Sequence, residues 1–379
     1  MTYDVAVIGA GVFGSWTAHH LRRAGQRVIL IDAYGPSNSR ASSGGESRII
    51  RCGYGPDEIY SRFARNSLPQ WKDLSRRTNT SLFHNVGMLW LAEKSDPHIA
   101  ATARVLTDLE VPHEILNRTQ LDQRFPQFSV GDDDWAVYEP NSGALMARRS
   151  IQMLVQEMEQ SGLEVLTDPV QPLVGTTRLA SITTASGRTI AAGAYVFACG
   201  PWLPKLFPHE LGQRIFPTRQ EIFFFGPAPN EHRFAPPSMP CWIDVGKLYG
   251  IPDLENRGLK IADDEHGEPI DPDTTDRLIS KESVEFMRHR LAQLFPAMRD
   301  APLLETRVCQ YENTANGDFL LDRHPALDNV WLAGGGSGHG FKHGPAVGEY
   351  LITQILGIHS PEPRFSFATK STTQNRSVY

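Results

Sequence analysis

The sequence predicts two interleaved architectures: an α/β domain with a Rossmann-like parallel sheet, assembled from separated segments, and an α+β domain on a mixed sheet lying between them. Three observations carry this. An apolar strand runs into a glycine-containing loop and a helical pattern at the start of the chain, near its middle and near its end. The material between those units differs, with short β-like runs broken by glycine, proline and polar turns. The chain's 379 residues exceed what one ordinary core organises, so two closely packed domains are expected.

The first unit opens with an apolar strand over 3–8, then Gly9, Gly11 and Gly14, and a helix over 12–24 stopped by Gly25. At this spacing Gly9 permits a tight turn, Gly11 lets the backbone approach a pyrophosphate, and Gly14 allows close helix–strand packing. Phosphates would rest on the positive N-terminus of that helix. A second strand over 27–31 is continuously apolar after Arg27, as in a buried parallel sheet. It ends at Asp32, eighteen positions after Gly14, where an acid meets a ribose hydroxyl. Residues 57–77 carry Tyr60, Phe63, Ala64, Leu68, Trp71 and Leu74 at helical spacing, with a kink expected at Pro69.

After about Phe83 the character changes, until 148–162 reads as a helix on Ile151, Leu154, Val155 and Met158. A strand over 194–198 ends in Cys199-Gly200-Pro201-Trp202, the second turn of βα type. Runs over 215–225, 241–250 and 258–262 favour strands, and a helix carrying Val284, Met287, Leu291 and Leu294 follows. The last unit is a strand over 329–333, the loop Gly334 to Gly340, and a helix with Val347, Leu351 and Ile355 that stops at Gly357. The expected division is 1–82, 141–214 and 318–379 for the nucleotide domain, and 83–140 and 215–317 for the substrate domain.

Charge narrows the function. With 37 basic and 43 acidic residues, net −6, and no long basic block, nucleic acid is not an expected partner. No apolar run is long enough to span a bilayer. The chain opens on a strand rather than a charged leader, and its terminal Ser-Val-Tyr is not the peroxisomal tripeptide, so a cytoplasmic location is expected. Cys52, Cys199, Cys241 and Cys309 lack paired spacing, which argues for reduced thiols and against a metal site or disulfide framework. Asn79-Thr80-Ser81, Asn117-Arg118-Thr119 and Asn375-Arg376-Ser377 fit the glycosylation pattern and are read as chance matches. Ser337 and His339 lie among glycines, but the final glycine of a hydrolase elbow is missing and no triad order follows.

Five segments together are more specific than the opening glycines: Gly9 to Gly14, Ser47-Arg48-Ile49-Ile50-Arg51, Tyr138 to Gly143, Arg307-Val308-Cys309-Gln310-Tyr311, and Gly336-Ser337-Gly338-His339-Gly340-Phe341-Lys342. In these the chain resembles the monomeric sarcosine oxidase and N-methyltryptophan oxidase family over nearly its whole length. The resemblance implies FAD, often covalently held, and oxidation of N-methyl or cyclic secondary amino acids, with oxygen reduced to hydrogen peroxide. A small-molecule amino acid or amine, oxygen and a monomeric state are then the expected partners and assembly.

The resemblance also implies roles. Cys309 would bond through sulfur to the methyl carbon at the 8 position of the flavin, with nearby Arg307 lowering the thiol pKa if it points the same way. On residue type alone a buried free cysteine is the commoner reading. Arg51 and Lys342 would clamp the substrate carboxylate, a task that suits a planar guanidinium and distinguishes them from solvated surface charges. Lys260 would stabilise charge forming on oxygen, and Arg48 would lie close to the flavin ring. Tyr249 and Tyr311 would wall the substrate cavity, and Ser337, Gly338, His339 and Gly340 would form a flavin loop. The helix after Lys342 would direct its positive end toward the flavin pyrimidine.

Two departures count against sarcosine itself. Gly44 and Asp264 stand where the sarcosine enzyme has histidines, so room is expected at Gly44, and Asp264 would favour a larger or more basic amine. Trp242 is also expected near the cavity, where it would stack on an aromatic or cyclic substrate. Three alternatives remain open: a flavin dehydrogenase with a non-oxygen acceptor, a nicotinamide-dependent dehydrogenase, and a non-catalytic flavoprotein subunit.

Overall fold

A computed structural model describes residues 3–173, 175, 177–244 and 247–374, so Asn375-Arg376-Ser377 and the C-terminal tripeptide lie outside the described residues. β1 (Tyr3–Ile8), α1 (Val12–Arg23) and β2 (Val28–Asp32) form the opening βαβ unit, and α1 ends before Gly25, whose φ is +81°. β1 and β2 pair in parallel inside a six-stranded sheet. Its order is Leu320–Arg323, Val330–Gly334, Ala192–Phe197, β1, β2, Glu164–Thr167, and only Leu320–Arg323 runs antiparallel to its neighbour.

Alternation explains why β1 reads as unbroken apolar sequence. Val5 and Val7 enter the core shared with α1 and with helices Ala147–Gln160 and Gly344–Ile355. Ala6 and Ile8 enter a second core on the other face, with Ile29, Ile31, Tyr195 and Phe197. Both faces are covered, as in doubly wound α/β folds.

β3 (Ser47–Ile50) pairs with Gly143–Met146 in a small sheet, and α2 (Glu58–Arg77) follows. Pro69 lies inside this helix. Residues 83–140 contain two helices not anticipated from their interrupted pattern, Pro97–Asp108 and Arg118–Arg124. Each carries a side-chain cap that was legible: Asp96 accepts from the His98 amide, and Asn117 and Gln120 form a capping box. Asn117, one of the glycosylation matches, therefore has a structural task.

The second sheet is mixed and eight-stranded, in the order Leu303–Thr314, Ile215–Phe225, Leu259–Asp263, Leu248–Ile251, Cys241–Asp244, Met88–Glu93, Asp134–Glu139, Glu114–Leu116. Helix Lys281–Leu294 covers one face through Met287, Leu291 and Leu294, where they meet Phe223, Phe225 and Ile261. Near one end the opposite face carries Ile222, Phe224, Ala262 and Cys309. The expected run 241–250 contains two strands, Cys241–Asp244 and Leu248–Ile251, paired antiparallel with Trp242 opposite Gly250 and Ile243 opposite Tyr249. No helix among the described residues is long and apolar enough to cross a membrane. The chain thus has a Rossmann-like α/β fold with an interleaved mixed-sheet α+β portion.

Candidate active site

A cavity of about 350 Å³ opens beyond the carboxyl ends of the parallel strands. Strand β1 enters it through Gly9, whose φ of +104° and backbone packing exclude a side chain: a Cβ there would lie 2.2 Å from the Ala198 carbonyl oxygen. Gly11 lies on the wall at the N-terminus of α1, and the Val12 amide donates to Ser43 Oγ at 3.0 Å. Gly14 stands behind the wall. A Cβ on it would fall 1.8 Å from the Gly9 carbonyl oxygen, so its role is close helix–strand packing. Asp32 closes the adenosine side of the motif, accepting the Ala10 amide at 2.7 Å and the Tyr34 amide at 2.9 Å. Burial raises its pKa, opposed by hydrogen bonds from the Tyr34, Ala10 and Gly35 backbone.

Ser337, Gly338 and Gly340 line the same cavity. His339 does not: its side chain stacks on Phe319 at 4.9 Å and its Nε2 pairs with the Gly317 carbonyl at 3.1 Å. Gly338 has φ +77° and lies against Tyr311, which turns the loop and sends His339 to the wall of a second cavity. Sequence reasoning missed Glu312, directly after Tyr311. It is 9% exposed, and its Oε2 lacks a hydrogen-bond partner among the described residues, while Oε1 accepts weakly from the Gly336 amide at 3.4 Å. Burial pushes its pKa up to about 7.

These features fit a flavin dinucleotide. The helix N-terminus at Gly11 suits a pyrophosphate, Asp32 a ribose, and the orphaned Glu312 oxygen a hydroxyl donor such as those of a polyol chain.

The second cavity is smaller, about 60 Å³, and shares Arg48, Cys309, Tyr311, Gly338 and Phe341 with the first. Arg51 and Lys342 line it together. The Arg51 guanidinium lies 4.1 Å from the Tyr54 ring centre and 4.6 Å from that of Trp90, and it bonds the Gly53 carbonyl. Lys342 Nζ donates to the Tyr54 hydroxyl at 2.6 Å and to the His339 carbonyl at 3.0 Å. Burial, and then the Arg51 charge, hold the Lys342 pKa well below the usual lysine value. An incoming anion would relieve that penalty. Tyr249, Tyr311 and Asp264 complete the wall, and Tyr311 donates to Asp264 at 2.9 Å.

Cys309, 9% exposed, borders both cavities, with Arg48 Nη2 at 3.4 Å from its sulfur. The expected neighbour Arg307 points elsewhere, pairing with Glu305 and with Glu46 at 3.1 Å. Arg48 is held by the Ser42 carbonyl at 2.7 Å and the Ser47 carbonyl at 2.8 Å. Burial raises the Cys52, Cys199 and Cys241 thiols, and among the described residues Cys309 is the cysteine with a guanidinium at hydrogen-bond distance. Lys260 is 2% exposed and lies behind this wall, its Nζ donating to the Ser47 carbonyl at 2.9 Å. Burial, and then the Arg48 charge, lower its pKa to about 7.

Two expectations are corrected. Trp242 is fully buried against Phe295, ring centres 5.3 Å apart, on the face of the sheet away from the cavity. Successive strand residues alternate faces, and it is Ile243 that reaches the cavity. Gly44 opens no room: a Cβ there would sit 2.0 Å from the Asn38 carbonyl oxygen, and Gly45 is the position that accommodates the Arg48 guanidinium.

Comparison with known proteins agrees with this geometry. A family described as FAD dependent oxidoreductase matches residues 4–354. A monomeric sarcosine oxidase of Bacillus sp. (strain NS-129) is 33% identical, covering 92% of each chain. An N-methyl-L-tryptophan oxidase of Yersinia pestis (strain Pestoides F) is 27% identical, covering 96% of this chain and 97% of that one. Among solved structures, L-proline dehydrogenase from P. horikoshii superposes with a TM-score of 0.84 at 20% identity, covering 97% of both chains, a likeness of fold. The chain therefore belongs to the FAD-dependent oxidoreductase family and is a flavoenzyme of amino acid oxidase type.

Proposed function

We propose that the chain oxidises a secondary amino acid, N-methyl or cyclic, to an imine and reduces oxygen to hydrogen peroxide, with FAD bonded to Cys309. The observation that carries this reading is the pair of buried cations, Arg51 and Lys342, on a small cavity that shares a wall with the dinucleotide cavity. FAD, when bound, supplies the two-electron chemistry. The names of the curated relatives support N-methyl amino acids as the substrate class, and the name monomeric sarcosine oxidase supports a single-chain enzyme. We place that enzyme in the cytoplasm.

The residues divide the work. Arg51 and Lys342 hold the substrate carboxylate, and Tyr249 and Tyr311 limit where its carbon skeleton lies. Arg48 holds its guanidinium 3.4 Å from the Cys309 sulfur, the atom that would bond the flavin. Lys260, when protonated, sets a fixed positive charge behind Arg48 that stabilises negative charge developing on oxygen. Ser337, Gly338 and Gly340 shape the loop facing the cofactor. The imine then hydrolyses in water to an aldehyde and an amine, or persists if cyclic.

The test is oxygen consumption and peroxide formation with N-methyl amino acids, proline and pipecolate. One peroxide per oxygen consumed is expected with a secondary amino acid. Flavin reduction by substrate without peroxide would replace the oxidase by a dehydrogenase.

A further inference from the structure

Among the residues lining the small cavity, one carries a carboxyl group, Asp264, and the carboxylate clamp does not use it. Asp264 follows strand Leu259–Asp263, on which Asp263 is its neighbour, and its carboxyl accepts the Tyr311 hydroxyl at 2.9 Å. Facing it are Tyr311, Tyr249 from the adjacent strand, Arg51 and Tyr54 from the segment after β3, and Lys342 from the C-terminal loop. Burial pushes its pKa up to about 7, against the pull of the Tyr311 hydrogen bond and the Arg51 and Lys342 charges. Among the described residues Asp264 makes no ion pair. A desolvated anion with only a phenol as partner is costly until a cation arrives.

We propose that Asp264 receives the substrate nitrogen in its cationic form, so that the site selects amino acids as zwitterions against uncharged isosteres of the same shape. This rests on the proposed clamp: Arg51 and Lys342 fix the carboxylate, and Asp264 fixes the other charge of the same small molecule. The nitrogen must shed a proton before its lone pair is available for oxidation. Asp264 accepts it: one N–H bond breaks, one O–H bond forms, and the summed charge of the pair stays zero. Tyr249 and Tyr311 are poor acceptors, because burial raises both phenols and disfavours their ionised forms.

The test compares N,N-dimethylglycine with its carbon isostere 3-methylbutanoate, binding each to the holoenzyme and reading the flavin absorbance. Wild type is expected to favour the zwitterion at least tenfold, about 1.4 kcal/mol. Asp264→Asn should bring the ratio near one with flavin content unchanged, and Asp264→Glu should restore a preference. Zwitterion binding should weaken as pH falls through about 7 in wild type and stay flat in Asp264→Asn, because protonation removes the anion. A substrate bound only as the neutral amine would place that limb near the amine's own ionisation, about 10 by analogy with lysine. Equal binding in wild type, or an unchanged preference in Asp264→Asn, overturns the proposal, and flavin reduction by a secondary amino acid would leave the oxidase reading standing. A zwitterion preference in wild type that is lost in Asp264→Asn, with no reduction by any secondary amino acid, would overturn the oxidase reading alone.

Discussion

Replacing Arg51 by glutamine removes one of the two cations of the proposed carboxylate clamp and leaves a shorter, uncharged polar side chain. Arg51 is 2% exposed and clamped between the rings of Tyr54 and Trp90, so its guanidinium is positioned before substrate arrives. A hydrogen bond to a charged group contributes about 1.5–3 kcal/mol, and about 1.4 kcal/mol is a factor of ten. The dissociation constant of the substrate should therefore rise roughly ten- to hundredfold. Lys342 still faces the cavity, so binding weakens rather than vanishes. Arg51→Lys keeps the charge but loses the bidentate fork and should fall between the two. The assay is anaerobic stopped-flow reduction of the flavin against substrate concentration, with flavin content as the check on folding. A slower limiting rate at an unchanged dissociation constant would refute the clamp.

Three further outcomes are expected. Cys309→Ser should release its flavin to the supernatant on acid precipitation, whereas wild-type flavin stays with the pellet; release from wild type would end the covalent claim. Lys260→Met should slow reoxidation in air by orders of magnitude. In wild type the same step should slow as pH rises through about 7, where the Lys260 ammonium loses its proton, and a reoxidation rate independent of both changes would count against the role. Glu312 has its pKa raised from 4.5 to about 7, so the native state binds its proton more tightly than the unfolded chain. Its stability contribution is full below about 4.5 and lost as pH rises through about 7, on the order of 3 kcal/mol at 1.36 kcal/mol per unit. Urea unfolding of the apoprotein should show that loss in wild type and a flatter profile in Glu312→Gln; identical profiles would contradict the buried placement.

The parts of the fold that were legible are those where one physical constraint governs a run of residues. Strand β1 had to be apolar on both faces, and Gly9 and Gly14 had to lack side chains for separate steric reasons, so pattern and structure coincide there. Helices Pro97–Asp108 and Arg118–Arg124 were hidden because proline and polar interruptions masked their periodicity, although Asp96 and Asn117 advertised their caps. In the site, the family resemblance pointed to Cys309, Arg51 and Lys342, which the fold brings to one cavity, but not to the directions in which side chains point. Arg307 was the expected neighbour of Cys309, but its ion pairs with Glu46 and Glu305 turn it away and Arg48 stands beside the sulfur instead. Trp242 and Ile243 differ by one residue, and the two-residue period of a strand sends them to opposite faces. Glu312 went unnoticed because what distinguishes it, an oxygen left without a partner, exists only once the chain has folded.

The most direct measurement mixes the purified flavoprotein anaerobically with N-methyl amino acids, proline, pipecolate and primary D-amino acids, and follows the flavin absorbance band. Rapid bleaching by a secondary amino acid, with primary amines inert, is the predicted result. No bleaching by any secondary amino acid, or bleaching by primary amines alone, would contradict it.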